Sequence, residues 1–371
     1  MKESGSYPVI ANALTNDGIV GYYASEFRIA APAVTVTGRG EVGHAVARKF
    51  NFTPIVRLLS IKTSHDVDFL ANNINLKGFI VESTGVPQLT VPKLEDLLLY
   101  FPKQINEEMY IGNLFVIINN LITLHQRKYE KLQTLKKALL EKMFPANNDD
   151  IPQIRFKGFT DAWEQRKYED IGVCSSGGTL SYASLSDNGQ YKCILYGDLY
   201  TLYNATIFEI ERRTNQKGNT IYQNDILFPQ STTVDAYSLI SPACLNDKTA
   251  ETSGVFVIRP NKDIDGNFIA YYSKDNETQR NKLAKKAQGL TIVHLYYQSI
   301  KNEIILIPSF NEQIKISSLL INLDSLITLH QRKYEKLQTL KKALLEKMFP
   351  ANNDDIPQIR FKGFTDAWEQ R

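Results

Sequence analysis

LITLHQRKYEKLQTLKKALLEKMFPANNDDIPQIRFKGFTDAWEQR, residues 121–166, recurs letter for letter at residues 326–371. A solenoid repeats in tandem and drifts between copies; here each identical copy follows a long, dissimilar segment. The chain reads as one scaffold used twice, with different cargo. Around the first copy, Ile111, Leu114, Ile118, Leu121, Leu132, Leu135 and Leu139 follow the alternating three-and-four spacing of a coiled-coil seam. The second copy extends the same register over Ile316, Leu319, Leu323, Leu326, Leu337, Leu340 and Leu344. His125, Lys128 and Lys142 also fall on it, so the middle of the seam is polar. Each helix covers about 35 residues, or about 52 Å. A half-apolar helix of that length needs a partner to cover its face, and the nearest one is its own duplicate. The pattern predicts an antiparallel helix pair with pseudo-twofold symmetry, long enough to match about 15 base pairs of duplex DNA at 3.4 Å each.

The segments ahead of each helix are rich in strand signals. In the first, Tyr7 to Ile10, Ile19 to Tyr23, Phe27 to Ala30, Ala33 to Thr37 and Phe79 to Glu82 lie between Gly, Pro and NDG turns. In the second, the candidates are Tyr191 to Tyr196, Ala205 to Ile210, Asp225 to Phe228, Gly254 to Arg259 and Asn267 to Tyr272. Lys282 to Gln288 looks helical, and AQGLTIVHL looks like a turn and strand. STGVPQLTV at 83–91 closes the first segment in a similar way, and each segment ends in a Pro (Pro102, Pro308) before its helix. The expected fold class is α+β, with two α/β domains separated by two long antiparallel coiled-coil helices. Its divisions are 1–105 (first domain), 106–145 (first helix), 146–166 (linker and RFKGFTDAWEQR box), 167–308 (second domain), 309–350 (second helix) and 351–371 (trailing linker and box).

Composition bounds the function loosely. The chain has 371 residues, 43% hydrophobic and 22% charged, which are globular values. Cys174, Cys193 and Cys244 show no paired spacing, so they read as buried thiols in a reducing compartment. The N-terminus lacks the apolar core of a signal peptide and no run approaches a membrane span, so a cytoplasmic location is expected. A net charge of +3 permits a nucleic-acid partner without demanding one.

At this point the residues carry a resemblance. HQRKYEKLQTLKKALLEKMFP followed by IRFKGFTDAWEQR resembles the conserved regions of the specificity (S) subunit of type I restriction-modification enzymes. YKCILYGDLYTLYN, NDILFPQSTT and AQGLTIVHLY look like parts of its variable target-recognition domains. The resemblance implies a subunit without chemistry of its own, in which each recognition domain reads one half of a bipartite double-stranded DNA target. The helices would be spacers that dock two modification (methyltransferase) subunits, to which restriction (nuclease-translocase) subunits add. S-adenosylmethionine, ATP and Mg would sit only on those partners, and no cofactor is expected on this chain. The family order normally runs box, domain, helix, twice over. Here the chain begins inside a domain and ends on a box, so the first domain is either shortened at its start or the order is circularly permuted. An identical repeat is also a substrate for DNA recombination, which suggests a gene whose recognition domains are shuffled.

Several residues are candidates for DNA contact. Gly38-Arg39-Gly40-Glu41-Val42-Gly43 has the glycine spacing of a dinucleotide fingerprint, with Asp66 and Asp68 near the place of its acid, yet no βαβ pattern follows. The loop reads as a tight turn or a DNA-facing loop, and Arg39 on it could bond guanine O6 and N7. The matching place in the second domain, after ILF, holds Gln230, Ser231, Thr232 and Thr233, suited either to phosphates and base edges or to an ordinary turn. Tyr196, with Tyr200, Tyr203 and Lys192, is a candidate aromatic-basic face or a set of half-buried strand residues. Lys282, Lys285 and Lys286 suit phosphates or a solvated helix face. No Pro-Pro pair, Gly-Lys pair or HExxH spacing exists, so base-flipping methyltransferase, Walker A and zinc-protease motifs are missing. The alternative to a DNA reader is a coiled-coil adaptor that binds other proteins through its end domains.

Overall fold

The computed structural model describes residues 2–79, 88–146, 149–351 and 354–371. Strands β1 (Tyr7–Ile10), β2 (Ile19–Tyr23), β3 (Ala33–Val36), β4 (Ala45–Arg48), β5 (Thr53–Pro54) and β6 (Leu59–Ile61) form two sheets, ordered β2-β1-β5 and β4-β3-β6. β3 runs antiparallel to both of its neighbours. Its period of two sends Val34 and Val36 into the main core and Thr35 to the opposite face. Phe27 to Ala30 is not a strand; only Ile29 bridges, to Phe52. Helix α1 (Val67–Lys77) buries Phe69, Leu70 and Ile74. Asp66 starts it by accepting the Phe69 N–H at 2.8 Å, which is an N-cap role and not that of a ribose-binding acid. Of the expected strand Phe79 to Glu82, residues 80–82 lie outside the described residues, as does most of STGVPQLTV. Then come α2 (Val91–Glu95), β7 (Tyr100–Phe101) and the 38-residue helix α3 (Ile105–Lys142).

Beyond the linker, the strands are β8 (Glu164–Lys167), β9 (Gly172–Ser176), β10 (Tyr191–Leu195), β11 (Thr206–Ile207), β12 (Arg213–Thr214), β13 (Asn219–Tyr222), β14 (Ile226–Pro229) and β15 (Ser231–Thr232), with α4 (Asp198–Thr201) after β10. Helix α5 (Ala236–Leu239), β16 (Ala243–Leu245), β17 (Thr249–Ser253), β18 (Val255–Pro260), α6 (Gly266–Asp275) and α7 (Glu277–Ala284) follow. The run closes with β19 (Val293–His294), α8 (Tyr297–Ile300), β20 (Ile304–Ile307), the 39-residue α9 (Phe310–Met348) and β21 (Glu369–Gln370). A five-stranded sheet, β11-β16-β14-β18-β9, and a four-stranded one, β12-β10-β17-β13, hold most of the strands. Asn267 to Tyr272, expected as a strand, is helical. Asp265 caps it through the Asn267 and Phe268 N–H groups, and the helix is buried on nearly every side, so its aromatic and branched composition reports burial and not extension.

The chain folds as two units, Met1–Arg127 with His330–Arg371, and Lys128–Leu329. In the first, Ile111, Phe115, Ile118 and Ile122 of α3 join Leu344, Leu345 and Met348 of α9 in one core with α1. In the second, Leu139 and Leu140 of α3, with Met143 just past its end, join Ile316, Leu319 and Leu320 of α9 around α6. The start of each helix thus packs on the end of the other, an antiparallel pairing.

The seam differs from the sequence expectation. Leu121, Leu135, Leu326 and Leu340 are 39%, 45%, 43% and 45% exposed. Ile122, Tyr129 and Lys136, with Ile327, Tyr334 and Lys341, take the less exposed places, and Lys128 is exposed. Ile118, His125, Leu132, Leu323, His330 and Leu337 keep their predicted inward places, so only the alternate seam position falls one residue later: the buried stripe runs at i and i+4 where the sequence spacing predicts i and i+3.

Each RFKGFTDAWEQR box packs the same way in its own unit. Arg155 clasps Glu312 with both its Nε (2.9 Å) and Nη2 (2.7 Å), and Arg360 clasps Glu107 with the same atoms at 2.8 and 2.7 Å. Both glutamates are 1% exposed and lie at the start of a long helix. Trp163 and Trp368 enter the two cores. β8 pairs antiparallel with β20, and β21 with β7. The trailing box therefore does in the first unit what the internal box does in the second.

Candidate nucleic-acid interface

In the first unit, the glycine-rich stretch is the turn of the β3–β4 hairpin. Thr37 and His44 close it through the Thr37 N–H to His44 carbonyl bond at 3.0 Å, and Gly43 donates to the Thr37 carbonyl at 2.8 Å. Gly40 and Gly43 take φ of +74° and +87°, where other residues are strained. Gly38 donates to Asn12 Oδ1 at 2.8 Å, and its carbonyl accepts Leu89 N–H at 3.0 Å. A Cβ on Gly38 would stand 2.4 Å from the Arg57 carbonyl oxygen. An antiparallel hairpin lacks the strand-to-helix turn that a dinucleotide needs, so the spacing of glycines here serves the turn. Arg39 stands exposed at its tip. Val56 and Arg57, in the adjoining loop, both hold positive φ, at +53° and +61°, and Arg57 Nη1 bonds Gln88 Oε1. A β-branched residue there is strained, and such strain gathers where a surface is shaped for a ligand.

In the second unit, Gln230 sits where Gly38 sits in the first. Its N–H donates to the Gly254 carbonyl and its carbonyl accepts Leu295 N–H, both at 3.0 Å. The Tyr196 ring lies against Gly254, where an added Cβ would meet it at 2.7 Å, and Tyr200 donates its hydroxyl to the Ser231 carbonyl at 2.9 Å. Tyr196, Tyr200, Gln230 and Ser231 therefore meet around one glycine. Thr232 is buried and its hydroxyl accepts the Val234 N–H at 3.2 Å, while Thr233 is exposed. The candidate lysines are placed differently. Lys192 pairs with Asp247 at 2.5 Å, and Lys286 with Glu303 at 2.7 Å, with Lys282 3.5 Å from the same carboxylate. Burial pushes Glu303 up, but these two lysines outweigh it and hold its carboxyl below the ordinary value. Lys285 is exposed and has no ion pair among the described residues.

Sequence reasoning missed other residues beside this cluster. The Arg280 guanidinium lies 3.9 Å over the Tyr237 ring, and α5, α7, β15 and β19 adjoin there. Leu290 is 101% exposed on a turn that Gln288 and His294 close by mutual backbone bonds of 2.8 and 2.7 Å. Glu107 and Glu312 were also missed. The signal was available, since each lies the same 14 residues ahead of its copy of the repeat.

The helices carry a second kind of surface. Leu124 and Leu329 are each 44% exposed, joining Leu121, Leu135, Leu326 and Leu340 as apolar residues that the chain itself leaves uncovered.

The type I restriction modification DNA specificity domain matches residues 1–134 and 160–339, most of the chain. The chain belongs to that family. It is 31% identical over 98 residues to a type I specificity subunit of Mycoplasma pneumoniae, a match covering 26% of this chain and 27% of that one. Over 298 residues it is 21% identical to the specificity subunit of the type I restriction enzyme MjaVIII of Methanocaldococcus jannaschii, covering 75% and 68%. The match thus spans about a quarter of the first relative and about two thirds of the second. The fold resembles that of the S subunit of a type I restriction-modification system from M. genitalium, with a TM-score of 0.62, 14% identity and coverage of 95% and 91%. No helix among the described residues is long and apolar enough to cross a membrane.

Proposed function

We propose that this specificity subunit reads a bipartite double-stranded DNA target, one half with each unit, and carries no catalytic step itself. The helices set the gap between the halves and dock two modification (methyltransferase) subunits, to which restriction subunits add. The observation that carries this reading is the twofold reuse of one build: the same Arg–Glu clasp, box strand and buried Trp recur in both units. Two different sheet assemblies are thereby held by one repeated scaffold. Identical exposed leucines on two identical helix stretches offer the same face twice, which suits two copies of one partner.

Phosphate contacts would supply salt-dependent affinity, and the two loops that follow β3 and β14 would supply sequence readout. Arg39 is the base-contacting candidate in the first unit, with Tyr196, Gln230, Ser231 and Thr233 in the second, where the buried Thr232 shapes the loop instead. Lys285 and Arg280 are the better phosphate donors of that unit, because Lys192, Lys282 and Lys286 already hold carboxylates. Methylation of a base requires it to leave the stack, and the docked subunits, with their S-adenosylmethionine, would do that chemistry. A cytoplasmic location follows from the work.

Sequencing methylated bases in cells carrying this chain and its methyltransferase partner tests the reading. A two-part motif with a fixed gap is the expected result. The adaptor alternative draws on the internally paired lysines, and it predicts that the complex shows no salt-dependent affinity for duplex DNA.

A further inference from the structure

The sheet β4-β3-β6 puts Val34, Val36, Leu59 and Ile61 on the core, and its other face mixes polar side chains with Ala33 and Val46. That face carries Thr35, Thr37, His44 and Arg48, and the connection between β1 and β2 arches over it, enclosing a cavity of about 50 Å³. Arg48 is only 5% exposed. Its Nε donates to Thr35 Oγ1 at 3.0 Å, which fixes the plane of the guanidinium. Among the described residues, its Nη1 and Nη2 make no hydrogen bond and no carboxylate lies within 4.0 Å of them. Ser60, which pairs with Thr35 in the register of β3 and β6 and so shares its face, has a buried hydroxyl that is likewise unpartnered among the described residues.

A guanidinium does not give up its proton in a protein. A buried charge without a counter-charge is among the costlier things a fold can hold. Asp17 lines the cavity, exposed, and draws on Arg48 through space without reaching it. The two free amino groups present the fork that takes two oxygens of one anion. A water needs about 10–15 Å³ of such space, so 50 Å³ suits the few oxygens of one tetrahedral anion.

We infer that this cavity is an oxyanion site for a phosphoryl group, with Arg48 as its two-pronged donor and His44 at its edge. Only the source of the phosphoryl group rests on the DNA-reading proposal: a backbone phosphate beside the β3–β4 hairpin on that reading, free phosphate otherwise. Burial holds His44 below the ordinary histidine value and, with Arg48 and Lys341, outweighs Glu41, so near neutral pH the ring is a neutral hydrogen-bonding group.

Calorimetric titration of the full chain with inorganic phosphate, at constant ionic strength against chloride, tests the site without DNA. The parent should bind saturably. Arg48→Met should bind about tenfold more weakly or not at all, and Asp17→Asn, which removes the competing charge, should bind more tightly. Arg48→Met should also melt no lower than the parent in chloride, because it removes an unpaired buried charge. Should that variant fail to fold, Asp17→Asn decides alone: tighter phosphate binding upholds the site and unchanged binding overturns it. No phosphate binding by the parent, or equal binding by all three proteins, overturns it as well. Random-sequence duplex DNA added to the phosphate complex then separates the sources. Displacement of phosphate means that a backbone phosphate takes the site, and persistence means that free phosphate does; both uphold it.

Discussion

Lys136 and Lys341 are one residue of the repeat placed in two settings. Lys136 reaches Asp275 and Asp324, each at 2.8 Å, and although burial pulls its pKa down, the two acids hold it above the ordinary value. Lys341 has only burial acting on it, which lowers it; the counterpart of Asp324 in the first unit is Asn119. Lys136→Met should therefore destabilise the second unit by about 2 kcal/mol, since it leaves two facing carboxylates without their shared cation, only Asp324 keeping a partner among the described residues, the Tyr271 hydroxyl, at a site still partly open to water. Lys341→Met should change stability by less than about 0.5 kcal/mol or raise it. Denaturant melts of the two variants check the contrast, and equal losses would count against it. Nothing in the letters 121–166 announces the difference, because the repeat is identical and the acids come from the unlike segments.

Lys274 offers a pH test in the second unit. Burial pulls it to about 8, with Asp275 opposing. Its folded value lies below that of the unfolded chain, so its charge penalises the fold fully below pH 8. The penalty fades as pH rises toward the ordinary lysine value of about 10.4. Lys274→Met should be more stable than the parent at pH 7, with an advantage that shrinks between those values. Thermal melts across the range would contradict this if the gap stayed constant.

At the scale of elements, the long helices are legible because their apolar period runs over many turns. The face they finally bury is half legible: Ile118, His125 and Leu132 hold their predicted places, but apolar residues stand at both i+3 and i+4 (Leu121 and Ile122), and the letters do not say which of the two turns inward. Asn267 to Tyr272 misleads for a related reason: a helix buried all round shows no periodicity to read, and its Asp265 cap was the only clue. The β3–β4 hairpin was legible as a turn, whereas the buried Arg48 beneath it was not, since burial depends on the β1–β2 connection folding over it. The exposed leucines make a prediction at this scale. Leu124→Asp with Leu329→Asp should leave melting within about 0.5 kcal/mol of the parent, as expected of exposed sites. The same pair should sharply reduce co-purification with the methyltransferase subunit. An intact complex would remove these leucines from the docking face.

For the molecule as a whole, the proposed spacer role can be tested by changing length without changing face. Residues 125–131 and their copy 330–336 are each one heptad. Removing seven residues shortens a helix by about 10.5 Å and turns its face by only about 20°. Because the helices pair antiparallel, each residue of one lies opposite a fixed residue of the other, as His125 and His330 do across a 2.8 Å Nδ1–Nδ1 bond. Removing the heptad from both copies therefore keeps the cores at both ends, where Phe115 meets Phe349 and Leu140 lies with Ile316. Removing it from one copy leaves a stretch of the other unpaired and should lower the melting temperature. At 3.4 Å per base pair, the double deletion should shorten the gap in the methylated motif by about three base pairs while both half-sites keep their bases. A motif with its gap unchanged would mean that something other than these helices sets the spacing, even if both units read DNA.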